Sequence, residues 1–172
     1  METDTRTISD LFKTVSLGAP QNAVGFVMWR VVHRYQREVD QALRPLGLTH
    51  LQFVALALVA WTARTGAKAT QSELATLGDI HPMQLSNVLK ALERNGLVTR
   101  TRAPTNALAK QVAITAEGVE RLRAALPLGI AIQARLFGDE GRPGGHLLDL
   151  LVRIDRDGRP DPSFAEPTNA DE

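Results

Sequence analysis

The sequence of 172 residues predicts a mainly α-helical fold with one small β-hairpin. Three observations indicate this class. Hydrophobic residues recur at spacings of three and four over most of the chain, which is typical of amphipathic helices. Two threonines are each followed three residues later by Gln or Glu, a signature of a helix start. Only residues 97–115 alternate and are rich in β-branched residues, which predicts a pair of strands.

The composition is that of a globular protein, with 44% hydrophobic and 23% charged residues. The length fits one domain with a proper core. The absence of cysteine excludes disulfides and thiolate chemistry. The first 15 residues have acids where a secretory signal needs a basic start, and no apolar run reaches about 18 residues. We therefore expect a soluble, cytoplasmic protein without a membrane span.

Two long helices are predicted first. Residues 23–44 place hydrophobic residues on one stripe with arginines between them, and Pro45 ends that helix. Thr49 and Gln52 form a capping box for a second helix over residues 50–65. This second helix is apolar on nearly every side, so we expect it to be buried in the core.

A helix-turn-helix pattern follows. Thr70 and Glu73 cap a short helix over residues 71–78, and after a short break Pro82 occupies the first turn of the next helix. That helix buries the stripe Leu85, Val88, Leu89 and Leu92. Its opposite face carries Met83, Gln84, Ser86, Asn87, Lys90 and Arg94. A short helix, a tight turn and a helix with a polar, basic face are typical of DNA-binding units.

A hairpin and two more helices complete the pattern. Residues 97–102 and 110–115 predict the strands of a wing. Thr115 is the expected N-cap of a helix over residues 116–137, in which we expect a kink at Pro127. After a glycine-rich break, residues 146–156 predict the last helix. The remaining ends are expected to be an N-terminal extension, residues 1–22, and a flexible acidic tail, residues 158–172.

This order of elements resembles the MarR family of bacterial transcription regulators. The matching segments are LGLTHLQFVAL, SELATLGDIHPMQLSNVLKALERNGLVTR and VAITAEGVERL. The resemblance implies a winged helix-turn-helix, residues 46–114, inserted in an α-helical dimerisation domain made of residues 23–45 and 115–157. It also implies a homodimer. The apolar stripes of the first and last helices favour the homodimer independently, because a monomer would leave them partly exposed.

The predicted DNA contacts fall into two groups. Residues expected in the major groove are Met83, Gln84, Ser86, Asn87 and Lys90. Asn and Gln pair well with adenine, and Lys with guanine or phosphate. Residues expected at phosphates are Gln71, Ser72, Arg94, Arg100, Arg102 and Lys110.

The tip of the wing departs from the family. The resemblance implies an acid at the position of Asn106 and arginines at those of Ala107 and Leu108, the second reaching into the minor groove. This chain has none of the three. This leaves three alternatives. DNA binding depends more on the helix and less on the wing, DNA binding is weaker than usual, or the wing serves another use.

Members of the family commonly bind small aromatic or phenolic acids between the dimerisation helices and the DNA-binding lobe. The residues that would line such a pocket here are Trp29, Arg30, His33, Phe53 and Trp61. The alternative is that the aromatic residues belong to the core. The four histidines lack the spacing of a helical metal site, and we expect no metal, no cofactor and no enzymatic activity.

Two functions are consistent with these features. The first is a homodimeric, sequence-specific transcription regulator of double-stranded DNA, usually a repressor in this family, that responds to a small aromatic effector. The alternative is a winged-helix protein with weakened DNA binding, which engages a protein partner through its apolar wing tip and acidic tail.

Overall fold

The computed structural model describes residues 4–103 and 106–157, without the side chains of residues 103 and 106–109. The wing-tip residues Asn106 and Leu108 and the predicted acidic tail therefore lie outside the described side chains or residues. The chain divides into two units, residues 1–129 and residues 130–172.

The described elements confirm the predicted class, mainly helical with a two-stranded sheet. The first four helices are α1 (Thr5–Val15), α2 (Val24–Leu43), α3 (His50–Ala63) and α4 (Gln71–Leu77). The others are α5 (Pro82–Arg94), β1 (Val98–Ala103), β2 (Asn106–Ile114), α6 (Ala116–Phe137) and α7 (His146–Asp157). Helix α1 is an addition to the sequence prediction, which expected only an extension there.

The helix starts form as the capping residues predict. Thr49 and Gln52 make the capping box of α3, and Thr70 and Glu73 make that of α4. Such boxes satisfy backbone N–H groups that a helix cannot pair internally. Helix α3 buries Phe53 and three smaller hydrophobic residues, so it is the core helix that its composition predicts.

An isolated β-bridge between Thr70 and Gln111 holds the wing at its base. Strands β1 and β2 are antiparallel, with Val98 opposite Ile114 and an irregularity between Arg102 and Ala103. The N–H of Val112 donates to the carbonyl of Ala69 at 2.9 Å. The wing is therefore tied to the residue just before the cap of α4.

The start of α6 packs closely on the end of the helix-turn-helix. The Thr115 hydroxyl donates to the carbonyl of Gly96 at 2.7 Å and accepts from the N–H of Gly118 at 3.0 Å. A Cβ on Gly118 would lie 2.1 Å from the carbonyl oxygen of Leu97. Only glycine permits this approach of α6 to the backbone.

In the second unit, α6 ends at Phe137 and a short 3-10 helix, Gly138–Gly141, leads to α7. Gln133 donates to the carbonyl of Gly141 at 3.2 Å, and the N–H of His146 donates to the carboxylate of Glu140 at 3.2 Å. In the described residues no single helix is long and apolar enough to cross a membrane. One pair, residues 5–46 with 50–63, passes by length and composition together, bent by 76°.

We expect Gly118→Ala to destabilise the protein by about 3 kcal/mol, the upper range for overpacking, because the added methyl meets a backbone carbonyl. Urea unfolding would measure the change. Gly25→Ala is the matched control, since a Cβ there meets nothing within 4 Å. Because alanine favours a helix more than glycine does, Gly25→Ala should leave the free energy of unfolding unchanged or raise it. Equal effects of the two substitutions would contradict the packing described for α6.

Candidate nucleic-acid interface

The orientation of α5 is set by its buried leucines. Leu85, Leu89 and Leu92 are completely buried. The opposite side of the helix is exposed at positions spaced by three and four. These outward residues are Met83, Asn87, Lys90 and Arg94, with Gln84 exposed beside them and Ser86 half-buried. The residues predicted for the major groove thus share the solvent side of α5.

Helix α4 offers less to a phosphate than the sequence predicts. Ser72 is exposed and Gln71 is half-buried. The carboxylate of Glu73 accepts from the Thr70 N–H at 2.6 Å and from the Thr70 hydroxyl at 2.9 Å. A carboxylate at the N-terminus of a helix opposes the approach of a phosphate. Contacts by Ser72 and Gln71 therefore remain a prediction for their side chains.

Arg100 lies in a different setting from the other basic residues. Its side chain is only 9% exposed and pairs with Glu93, with Nε at 2.9 Å from Oε2. The hydrogen bond from Arg100, more than any other cause, lowers the pKa of the Glu93 carboxyl. The second terminal nitrogen of Arg100 is buried without a hydrogen-bond partner in the described structure. This geometry joins α5 to β1 and does not support the predicted phosphate contact by Arg100.

Three of the basic side chains predicted to contact phosphates are open to solvent. Arg94, Arg102 and Lys110 are exposed. They lie at the end of α5 and on the two strands of the wing. A cation that is free to move can neutralise a phosphate and release a counterion. The side chains of Asn106 and Leu108 are not described, so their part in the interface stays a prediction.

Of the five residues predicted for a ligand pocket, only Phe53 and Trp61 line the groove that the structure describes. On α2 the rings of Trp29 and His33 lie with their centroids 4.4 Å apart and their planes tilted by 40°, and Arg30 lies over the Phe26 ring at 5.9 Å. Phe53 and Trp61 instead line an open groove of about 490 Å³.

This groove lies between α3 and the first turns of α6. Its lining is almost wholly apolar, and its residues are Phe53, Val54, Ala57, Leu58, Ala60, Trp61, Arg64, Leu122 and Leu126. At its rim the Arg64 guanidinium stacks on Trp61 at 3.5 Å from the ring centroid. Sequence reasoning missed Arg64 as a lining residue, although its place three residues after Trp61 on a helix is the available signal.

A metal site needs several ligands close together. Among the residues whose placement is described, no group of three or more His, Asp or Glu side chains is close enough to hold a metal ion.

A capped short helix, a helix with an outward polar and basic face, and a two-stranded hairpin define a winged helix-turn-helix protein of the DNA-binding class. The sequence profile of the MarR family matches residues 48–107. An HTH-type transcriptional regulator of Bacillus subtilis, YdcH, is 32% identical over 118 residues, 69% of this chain and 80% of that protein. The chain belongs to the MarR family of transcriptional regulators.

Solved structures of regulators share this fold. CouR from Rhodococcus jostii RHA1 bound to p-coumaroyl-CoA is similar with a TM-score of 0.71 and 27% identity, over 84% of this chain and 98% of CouR. The transcriptional repressor CouR bound to a 23-mer DNA duplex gives a TM-score of 0.69 at 27% identity, over 83% and 99% of the two chains. This chain is therefore similar to a regulator with both a ligand-bound and a DNA-bound structure.

Replacing Arg102 and replacing Arg100 should have different signatures in DNA binding. Arg102→Ala should weaken binding to every duplex and lower the slope of log K against log salt by about one per lost phosphate contact. Arg100→Met should weaken binding by loosening the wing, with the slope unchanged. Fluorescence anisotropy at several salt concentrations measures both. A slope that falls equally in the two variants would restore Arg100 as a phosphate contact.

Proposed function

We propose that the protein is a homodimeric, sequence-specific transcriptional repressor that a small aromatic or phenolic ligand releases from DNA, and that it is not an enzyme. The observation that carries the proposal is the outward face of α5. Its leucines are buried, and Asn87, Lys90 and Gln84 are presented to solvent in the helix that reads DNA in this fold. The DNA-bound structure of the related repressor CouR supports this use of the fold.

Exposed apolar faces support the homodimer. In the first unit, α1 and α2 each leave hydrophobic residues exposed, among them Phe12, Val27 and Val31. In the second unit, α7 exposes Leu151 and Ile154. Faces of this kind on several helices are more than scattered surface hydrophobes, and a second copy of the chain would bury them. A twofold dimer would present its two α5 helices to half-sites about one DNA turn apart.

The groove beside α3 supports an aromatic effector. Its apolar walls suit a flat hydrophobic body, and Arg64 at the rim suits a carboxylate or another anionic group. CouR binds p-coumaroyl-CoA, which combines an aromatic acyl group with an anionic carrier. A ligand there lies between the core helix of the DNA-binding part and the start of α6. Its binding would change the separation of the two α5 helices and so prevent both from docking together.

The proposal is tested first by binding to DNA. The purified protein is titrated into its own upstream intergenic duplex and into a scrambled duplex of the same length, at several salt concentrations. We expect a preference for the native duplex that survives physiological salt, because base contacts add to the phosphate contacts. Equal and weak binding to both duplexes would favour the alternative function, a winged-helix protein that engages a protein partner.

The dimer is tested by a charge on its proposed interface. We expect Val27→Asp to shift the protein toward monomer in sedimentation. It should also weaken operator binding at least tenfold, because a monomer contacts only one of the two half-sites and so makes about half of the contacts. Gln41→Asp, at an exposed polar position on the same helix, is the control. A dimer that persists in Val27→Asp would remove α2 from the interface.

The effector is tested on the protein–DNA complex with p-coumarate and p-coumaroyl-CoA as probes. One of them should release the duplex from the wild type. Ala57→Phe, which fills the groove, should bind DNA as the wild type does and resist release. Arg64→Gln should lower the sensitivity to the probe, because the anionic group loses its partner. Release that is unaltered in both variants would place the effector elsewhere.

A further inference from the structure

Met83 is an exception to the burial of hydrophobic residues in the DNA-binding part. Of the large hydrophobic side chains that the structure describes in residues 46–114, only Trp61 at the apolar groove and Met83 are exposed, Met83 at 70%. A single exposed hydrophobe on a surface is ordinary. The position of this one is informative, because it heads the outward stripe of α5 that continues with Asn87 and Lys90.

The first turn of α5 holds Met83 in place. The N–H of Met83 donates to Nδ1 of His81, the N-cap residue, at 3.3 Å. Pro82 fixes the backbone of the first helical residue, and Leu85 is completely buried. The thioether side chain is therefore free in solvent on a backbone that is well anchored. In a helix-turn-helix the N-terminal residues of the second helix contact the base edges.

The chemistry of the major groove leaves one partner that suits this side chain. Base edges there present hydrogen-bond donors and acceptors, and the C5 methyl of thymine is the apolar group among them. A methionine donates no hydrogen bond and its sulfur is a weak acceptor. It is flexible and polarisable, so it adapts to an apolar surface.

We propose that Met83 is a specificity-determining residue that contacts the C5 methyl of a thymine in each half-site of the operator. This assignment rests on the proposed function, namely sequence-specific binding by α5. The contact would add a thymine to the bases that Gln84 and Asn87 recognise. Met83 should contribute little to duplexes that lack the methyl group at that position.

The test removes only the methyl group. A tight-binding duplex is selected from a random pool, and its thymines are replaced by deoxyuridine in symmetric pairs. For the wild type, one pair should weaken binding about fifteenfold, which is about fourfold per half-site for the loss of one buried methyl group. Met83→Ala should weaken binding to the thymine duplex similarly and to the uridine duplex hardly at all, so the two changes are not additive.

Two further variants separate a base contact from a general loss of structure. Gln84→Ala should bind more weakly and still discriminate thymine from uridine at that pair. Met83→Gln keeps the length and the helix propensity, and should lose the discrimination. The thermal midpoints of all variants should match the wild type, because both side chains are exposed.

The assignment to Met83 would be overturned if Met83→Ala and Met83→Gln kept the full discrimination, or if the wild type bound the thymine and uridine duplexes equally. Either result would leave the sequence-specific function standing. Failure of the selection to enrich any duplex would overturn the sequence-specific function, and the assignment with it.

Discussion

The burial of three leucines on one side of α5 is the constraint on which the rest of the interface depends. Leu85, Leu89 and Leu92 have no exposed surface, so α5 cannot rotate without bringing large hydrophobic side chains into water. Each such exposure costs about 1.5–3 kcal/mol. The outward position of Asn87 and Lys90 is a consequence of this packing. The surface that we propose reads DNA is thus positioned by residues buried beneath it.

The same principle governs the wing and the helix after it. The Arg100–Glu93 ion pair ties β1 to α5, while the Thr115 hydroxyl donates to the carbonyl of Gly96 and Gly118 lets α6 approach the carbonyl of Leu97. These contacts join the start of α6 to the residues that follow the end of α5. In the proposed function, we expect this connection to couple a ligand in the groove between α3 and α6 to the DNA-binding surface.

Most of the fold was predictable because its signals are local. Capping boxes, Pro82 and the leucine stripe act within a few residues, so the sequence displays them directly. The first helix was missed, although Ile8, Leu11 and Phe12 have helical spacing. The role of Arg100 was not predictable, since Arg100 and Arg102 share one side of a strand and only the proximity of Glu93 separates them. The predicted pocket joined residues of α2 and α3, and periodicity alone does not show which of them share a groove; only Phe53 and Trp61 line the groove beside α3.

The wing tip has no arginine at positions 107 and 108. We propose that the outward face of α5 therefore reads the DNA sequence. The most direct measurement compares Asn87→Ala with Leu108→Arg, each titrated into the native and the scrambled duplex. We expect Asn87→Ala to abolish the preference for the native duplex, whereas Leu108→Arg should tighten binding to both duplexes and leave the preference unchanged. A preference that survives Asn87→Ala and changes with Leu108→Arg would contradict this expectation and would assign the reading of sequence to the wing.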